Sequence, residues 1–108
     1  VTSLQFTFME CKSLTTAPEI PDSVTNMGWT FQGCTALTTA PTIPESVTGM
    51  VHTFYSCDAL TGTIELNAAN LSYYTDCFRA RTKAITLTGS CPLLTELAKT
   101  GPNVTVAS

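Results

Sequence analysis

The chain has 108 residues, enough for one domain with a modest core, and its 44% apolar share argues against disorder. Only 12% of residues are charged, the formal net charge is −3, and the few cations (Lys12, Arg79, Arg81, Lys83, Lys99) gather only at 79–83. With no basic stripe to meet phosphates, nucleic acid is excluded as a partner; with no long apolar run, direct membrane insertion is excluded, and no signal-peptide pattern is present.

In chain order, the sequence repeats. Residues 1–23, 24–46 and 47–69 align without a gap; 13 of 23 positions are identical between the first two units and nine between the second and third. The shared positions are Val1/Val24/Val47, Leu4/Met27/Met50, Phe8/Phe31/Phe54, Cys11/Cys34/Cys57 and Leu14/Leu37/Leu60, followed by Ala17/Ala40 and Ile20/Ile43, then Ile64 and Leu66. An apolar residue every three or four positions around a unit with prolines inside suits neither one helix nor one strand. It suits units that bury their apolar sets against each other. The fold predicted from this is an α/β solenoid: a right-handed leucine-rich-repeat coil with a short parallel sheet and about three to four 23-residue turns.

Within a unit, LTTAPEI (14–20) and its equivalents are the strand candidates, shortened by Pro18 and Pro41, which lack a ladder N–H. Pro21 and Pro44 turn the chain with Asp22-Ser23 and Glu45-Ser46. NMGWTFQGC (26–34) is predicted as one outer helical or 3₁₀ turn, with Met27 and Phe31 on its inner face. Residues 70–88 form a divergent fourth unit in which one inserted residue places Phe78 at the Phe position and Arg81 at the Cys position, with a strand at 84–87. The stretch 89–108 reads as a C-terminal cap, with a helix over 92–99, Gly101 and Pro102 as stop signals, and a strand at 103–106. Val1 opens directly on repeat sequence, so further repeats or another domain are expected before it.

The quoted residues resemble the BspA-like leucine-rich repeats of bacterial cell-surface proteins. The likeness rests on Leu37-Thr38-Thr39-Ala40-Pro41-Thr42-Ile43-Pro44-Glu45-Ser46-Val47-Thr48-Gly49-Met50 and on Thr53-Phe54-Tyr55-Ser56-Cys57. It covers 1–69 clearly and 70–88 weakly. An extra residue at Ala17-Pro18 and Ala40-Pro41, balanced by one fewer before Phe, departs from the family pattern. The resemblance implies an extracellular or cell-surface location and an adhesive role toward a protein or a glycan; fold by itself gives no function.

Chemistry-bearing residues point the same way. Cys11, Cys34 and Cys57 recur at one position, so they stack roughly 5 Å apart with Cβ vectors alike, which favours buried thiols over bridges. Cys77 with Cys91 is the best-placed pair for a bridge. Zinc-ligand spacing is absent, so no metal and no cofactor are expected. His52 could pair with Cys57 as base and nucleophile, but the Cys recurs where Phe6 or Trp29 replaces the histidine, so no catalytic residue is assigned and no enzyme is expected. Glu19, Asp22, Glu45 and Glu65 read as solvating groups.

The structural ladder is thus Phe8, Phe31, Phe54 and Phe78 with Cys11, Cys34, Cys57, Leu14, Leu37 and Leu60. Positions that vary between units are free to meet a partner. Phe6, Trp29, His52 and Tyr55 form one candidate binding stripe, with a bare covering of the outer face as the competing reading. Threonine supplies 21 residues, and Thr15, Thr16, Thr38, Thr39 and Thr61 form the second candidate surface. The functional expectation is a non-enzymatic binding or adhesion module, with a passive spacer or assembly domain as the alternative.

Overall fold

The computed structural model describes residues 2–79, 83–101 and 103–107. Val1, Arg81 and Pro102, to which roles are given above, lie outside the described residues. Regular structure is confined to the second half: β1 (Gly62–Glu65), β2 (Ile85–Thr88), α1 (Leu94–Ala98) and β3 (Val104–Val106). The three strands form one parallel sheet in the order β1-β2-β3, with Gly62 opposite Ile85 and Ile85 opposite Val104.

The α/β solenoid expected from the repeat, a right-handed leucine-rich-repeat coil of three to four turns, is overturned. Among the described residues there is one three-stranded sheet and one five-residue helix, in a body of 32 × 28 × 20 Å with a radius of gyration of 11.9 Å. The first two units carry no strand; LTTAPEI contributes an isolated bridge, Thr16 to Thr39. Pro18, Pro21, Pro41 and Pro44 remove the ladder donors there. The expected outer helical turn at 26–34 is also replaced, by separate hydrogen-bonded turns. Positive φ at Trp29 (56°) and Gly33 (77°) breaks any helix through it.

What those turns achieve is an alternation of backbone donors. The N–H groups of Thr30, Gln32 and Cys34 bond inside the unit, to the carbonyls of Met27, Trp29 and Phe31. The intervening N–H groups of Met27, Trp29, Phe31 and Gly33 reach the carbonyls of Gly49, Val51, Thr53 and Tyr55 at 2.8–3.0 Å. Leu4, Phe6, Phe8 and Glu10 bond Asn26, Gly28, Thr30 and Gln32 in the same way. Every donor of the segment therefore has a partner without any helix or strand, which is the requirement for burying it. On another arc the direction reverses: Thr25 donates to Thr2, Thr48 to Thr25, Thr38 to Thr15 and Thr61 to Thr38.

This register stacks the side chains. The rings of Phe8, Phe31, Phe54 and Phe78 lie at centroid spacings of 5.5–5.6 Å with planes within 9° of parallel. Met27, Met50, Cys34, Cys57, Leu37 and Leu60 are buried beside them, whereas Leu4, Phe8, Cys11 and Leu14 of the first unit are only half-buried. Thr30 and Thr53, also fully buried, hold the units together: Thr30 Oγ1 donates to the carbonyls of Leu4 or Met27, and Thr53 Oγ1 to that of Met27, all at 2.8 Å. The thiols of Cys34 and Cys57 donate to the carbonyls of Phe8 and Phe31.

The insertion near residue 70 appears as a register shift. His52 and Phe54 bond Thr75 and Cys77, one position further on than in the units before. The last unit is closed by Thr100, whose hydroxyl accepts the Phe78 N–H at 3.2 Å and donates to the Leu97 carbonyl at 2.7 Å. Gly101 is required there, because a Cβ would lie 1.9 Å from the Phe78 carbonyl oxygen.

Truncating Phe31 to Ala should cost about 3–5 kcal/mol, because its neighbours on both sides are rings that cannot collapse into the gap. Phe6→Ala, half-exposed at 51%, should cost far less in the same urea titration. Gly101→Ala should lower the unfolding midpoint, with amide exchange rising first at Phe78 and along α1.

Candidate binding surface

The stripe residues come together. Phe6 stacks on Trp29 with centroids 5.2 Å apart, Trp29 on His52 at 5.2 Å with a 42° tilt, and His52 on Tyr55 at 4.9 Å. Phe6, Trp29 and His52 share one position in successive units, and their backbones are held by the donor alternation described above. That position is left-handed: φ is 63° at Phe6, 56° at Trp29 and 55° at His52. An L side chain pays about 1–2 kcal/mol in this region, and a bulky one is rarely found there.

A second left-handed position follows four residues later, at Glu10 (58°), Gly33 (77°) and Ser56 (62°). It supplies an internal comparison. With the same backbone demand it carries a carboxylate, a glycine and a hydroxyl, so the two positions differ in bearing rings and not in bearing strain. Only the first position carries rings.

The stripe extends into charge. Asp76, with φ 50°, sits two residues before Phe78 as His52 sits two before Phe54. Its carboxylate lies 3.7 Å from His52 Nε2 and 3.3 Å from Arg79 Nη1. Arg79 follows Phe78 as Tyr55 follows Phe54, so the column beside the rings reads Met9, Gln32, Tyr55, Arg79. Sequence reading had missed Asp76 and Arg79, although carrying the inserted residue from Phe78 to its neighbours would have found both. It had also missed Thr30 and Thr53, whose burial nothing in a Thr-rich composition marks out.

The threonine surface divides. Thr15, Thr38 and Thr61 are exposed, and Thr38 Oγ1 donates to the Thr15 carbonyl at 3.1 Å. Thr16 and Thr39, exposed as well, line an open groove of about 720 Å³ with Pro18, Ile20 and the carboxylates of Glu19, Asp22 and Glu45. No stripe residue lines it, so the two candidate surfaces are separate.

Of the ladder residues, Cys34 and Cys57 are buried and Cys11 half-buried. Cys77 is buried immediately before Phe78, in the place of Thr30 and Thr53, and it and Cys91, the pair expected to bridge, are both free thiols. Among the described residues no group of three metal-ligating side chains gathers, and no helix is long and apolar enough to cross a membrane.

Burial pushes the thiols of Cys34, Cys77 and Cys91 above the usual range, with bonds to backbone groups working the other way. The folded state therefore keeps them neutral while the unfolded chain ionises them from about pH 8.5 upward. Stability should be flat with respect to these groups below that pH and fall as pH rises above it. A series of urea midpoints from pH 7 to 10 checks the sign, and Cys77→Ala should make the alkaline fall shallower. Compared with family models, with curated proteins and with solved structures, the chain matches none.

Proposed function

We propose that this chain is a non-enzymatic binding module that works outside the cell, as part of a larger bacterial surface protein, and takes a protein or glycan ligand on the stripe Phe6–Trp29–His52–Tyr55. The cell-surface setting rests on the resemblance to BspA-like repeats. The binding role rests on one observation: three ring-bearing residues hold left-handed backbone in successive units, while the neighbouring left-handed position carries none. Backbone strain kept at surface residues is the kind of cost that function explains better than stability does.

A passive spacer is the second reading, favoured by the way the rings cover one another's faces. Such a stack ties units together whether or not a ligand arrives.

Trp29→Asn separates the two. Asn accepts the left-handed conformation, so relief of the backbone offsets part of the lost stacking and burial, and the variant should stay folded with its unfolding free energy, read by urea titration, lowered by about 1–3 kcal/mol. On arrays of hexapeptides and of oligosaccharides, a binding module loses its hits at least tenfold with Trp29→Asn. A spacer gives no hit that depends on Trp29, and that result would remove the binding proposal.

A further inference from the structure

We infer that the stripe reads the π-face of an aromatic side chain in a peptide, and does not stack on sugars; the inference rests on the binding role proposed above. It follows from which parts of the rings remain open. Trp29 lies between Phe6 and His52, and His52 between Trp29 and Tyr55, at centroid spacings of 4.9–5.2 Å. A guest ring between two of them would need about 7–8 Å, twice the carbon–carbon contact distance. Even the 42° wedge between Trp29 and His52 has centroids only 5.2 Å apart. Sugar recognition by aromatic residues uses ring faces, and here the inner faces are taken.

What the stripe offers instead is a row of ring edges. An aromatic ring is electron-poor at its edge and electron-rich on its face, so edges attract the face of another ring in edge-to-face contact. The electrostatic complement of this ridge is therefore a partner's Phe, Tyr or Trp lying flat across it. Two donors reinforce the choice. The Trp29 indole N–H and the Tyr55 hydroxyl, both on half-buried residues, make no hydrogen bond among the described residues. Each can donate to a main-chain carbonyl of the peptide that carries the ring. The stack from Phe6 to Tyr55 spans three centroid steps, the length of a few extended residues.

At the two ends of the stack, Phe6 and Tyr55 each keep one face that no ring among the described residues covers, which makes the alternative definite. A sugar on either face depends on that one ring alone; a peptide along the ridge depends on Phe6 and Tyr55 together.

The test uses the whole chain and three versions of one hexapeptide found on the array, carrying phenylalanine, cyclohexylalanine or pentafluorophenylalanine at the same place. Cyclohexylalanine keeps the apolar bulk without a π-face, and fluorination reverses the charge of the face. Calorimetric titration should give binding weakened about threefold or more by cyclohexylalanine and more strongly by pentafluorophenylalanine. Phe6→Asn and Tyr55→Leu should each weaken the phenylalanine peptide as well. Equal binding of the phenylalanine and cyclohexylalanine peptides overturns the inference. So do oligosaccharide hits that fall with only one of Phe6→Asn and Tyr55→Leu, although they leave the stripe as a binding site. Absence of any stripe-dependent hit on either array removes the binding role itself and the inference with it.

Discussion

The backbone alternation between Leu4 and Phe54 governs most of what this molecule presents. N–H groups of alternate residues point to the next unit and those between them fold back to the third residue before. The pattern lets a segment rich in buried side chains discharge its polar groups without becoming helix or strand, which buried backbone must do in some way. It also fixes the distance between units, and that distance brings like residues face to face: Phe on Phe inside, ring on ring outside. The buried hydroxyls of Thr30 and Thr53 belong to the same device, since each reaches a carbonyl of the unit before its own.

The alternation carries a conformational requirement. To send successive donors in different directions the chain must pass through left-handed residues, twice per unit, at 6 and 10, 29 and 33, 52 and 56. Inner and outer surfaces are thereby coupled. The rings at 6, 29 and 52 stand where they do because the residues two positions on, Phe8, Phe31 and Phe54, are packed inside. A change in the phenyl stack would thus be felt on the stripe.

How much of this was legible in the sequence divides along the same line. The 23-residue period and the recurrence of Phe, Cys and Leu are visible directly, and the same spacing returns as the hydrogen-bond register between Thr2 and Thr25 or Thr15 and Thr38. A period says which residues meet; it does not say what backbone carries them. The apolar spacing therefore suggested a coil with a sheet, while the prolines at 18, 21, 41 and 44 and the left-handed residues led elsewhere. The sign of φ at Trp29 or His52 leaves no trace in side-chain identity, because Asn or Gly would have advertised it and rings do not. Asp76 and Arg79 were hidden by a single inserted residue, and Thr30 and Thr53 by the abundance of exposed threonines around them.

At the ring-bearing positions strain and stacking oppose each other. Holding Trp29 left-handed costs about 1–2 kcal/mol, and each of its two stacked pairs, with Phe6 and with His52, returns about 0.5–1.5 kcal/mol beyond the apolar area it buries. Glycine in its place would remove the strain at an entropic cost of roughly 0.5–1 kcal/mol. Stacking and burial together offset the strain, so the rings tie neighbouring units together as well as presenting their edges. The neighbouring left-handed position carries the same strain at Glu10 and Ser56 and avoids it only at Gly33. The line of rings finishes at Asp76 and Arg79, which pair with each other and bound the apolar ridge on one side. Under the proposed peptide-binding role that polar end would give the ridge a direction, which a surface that only keeps two units apart does not need.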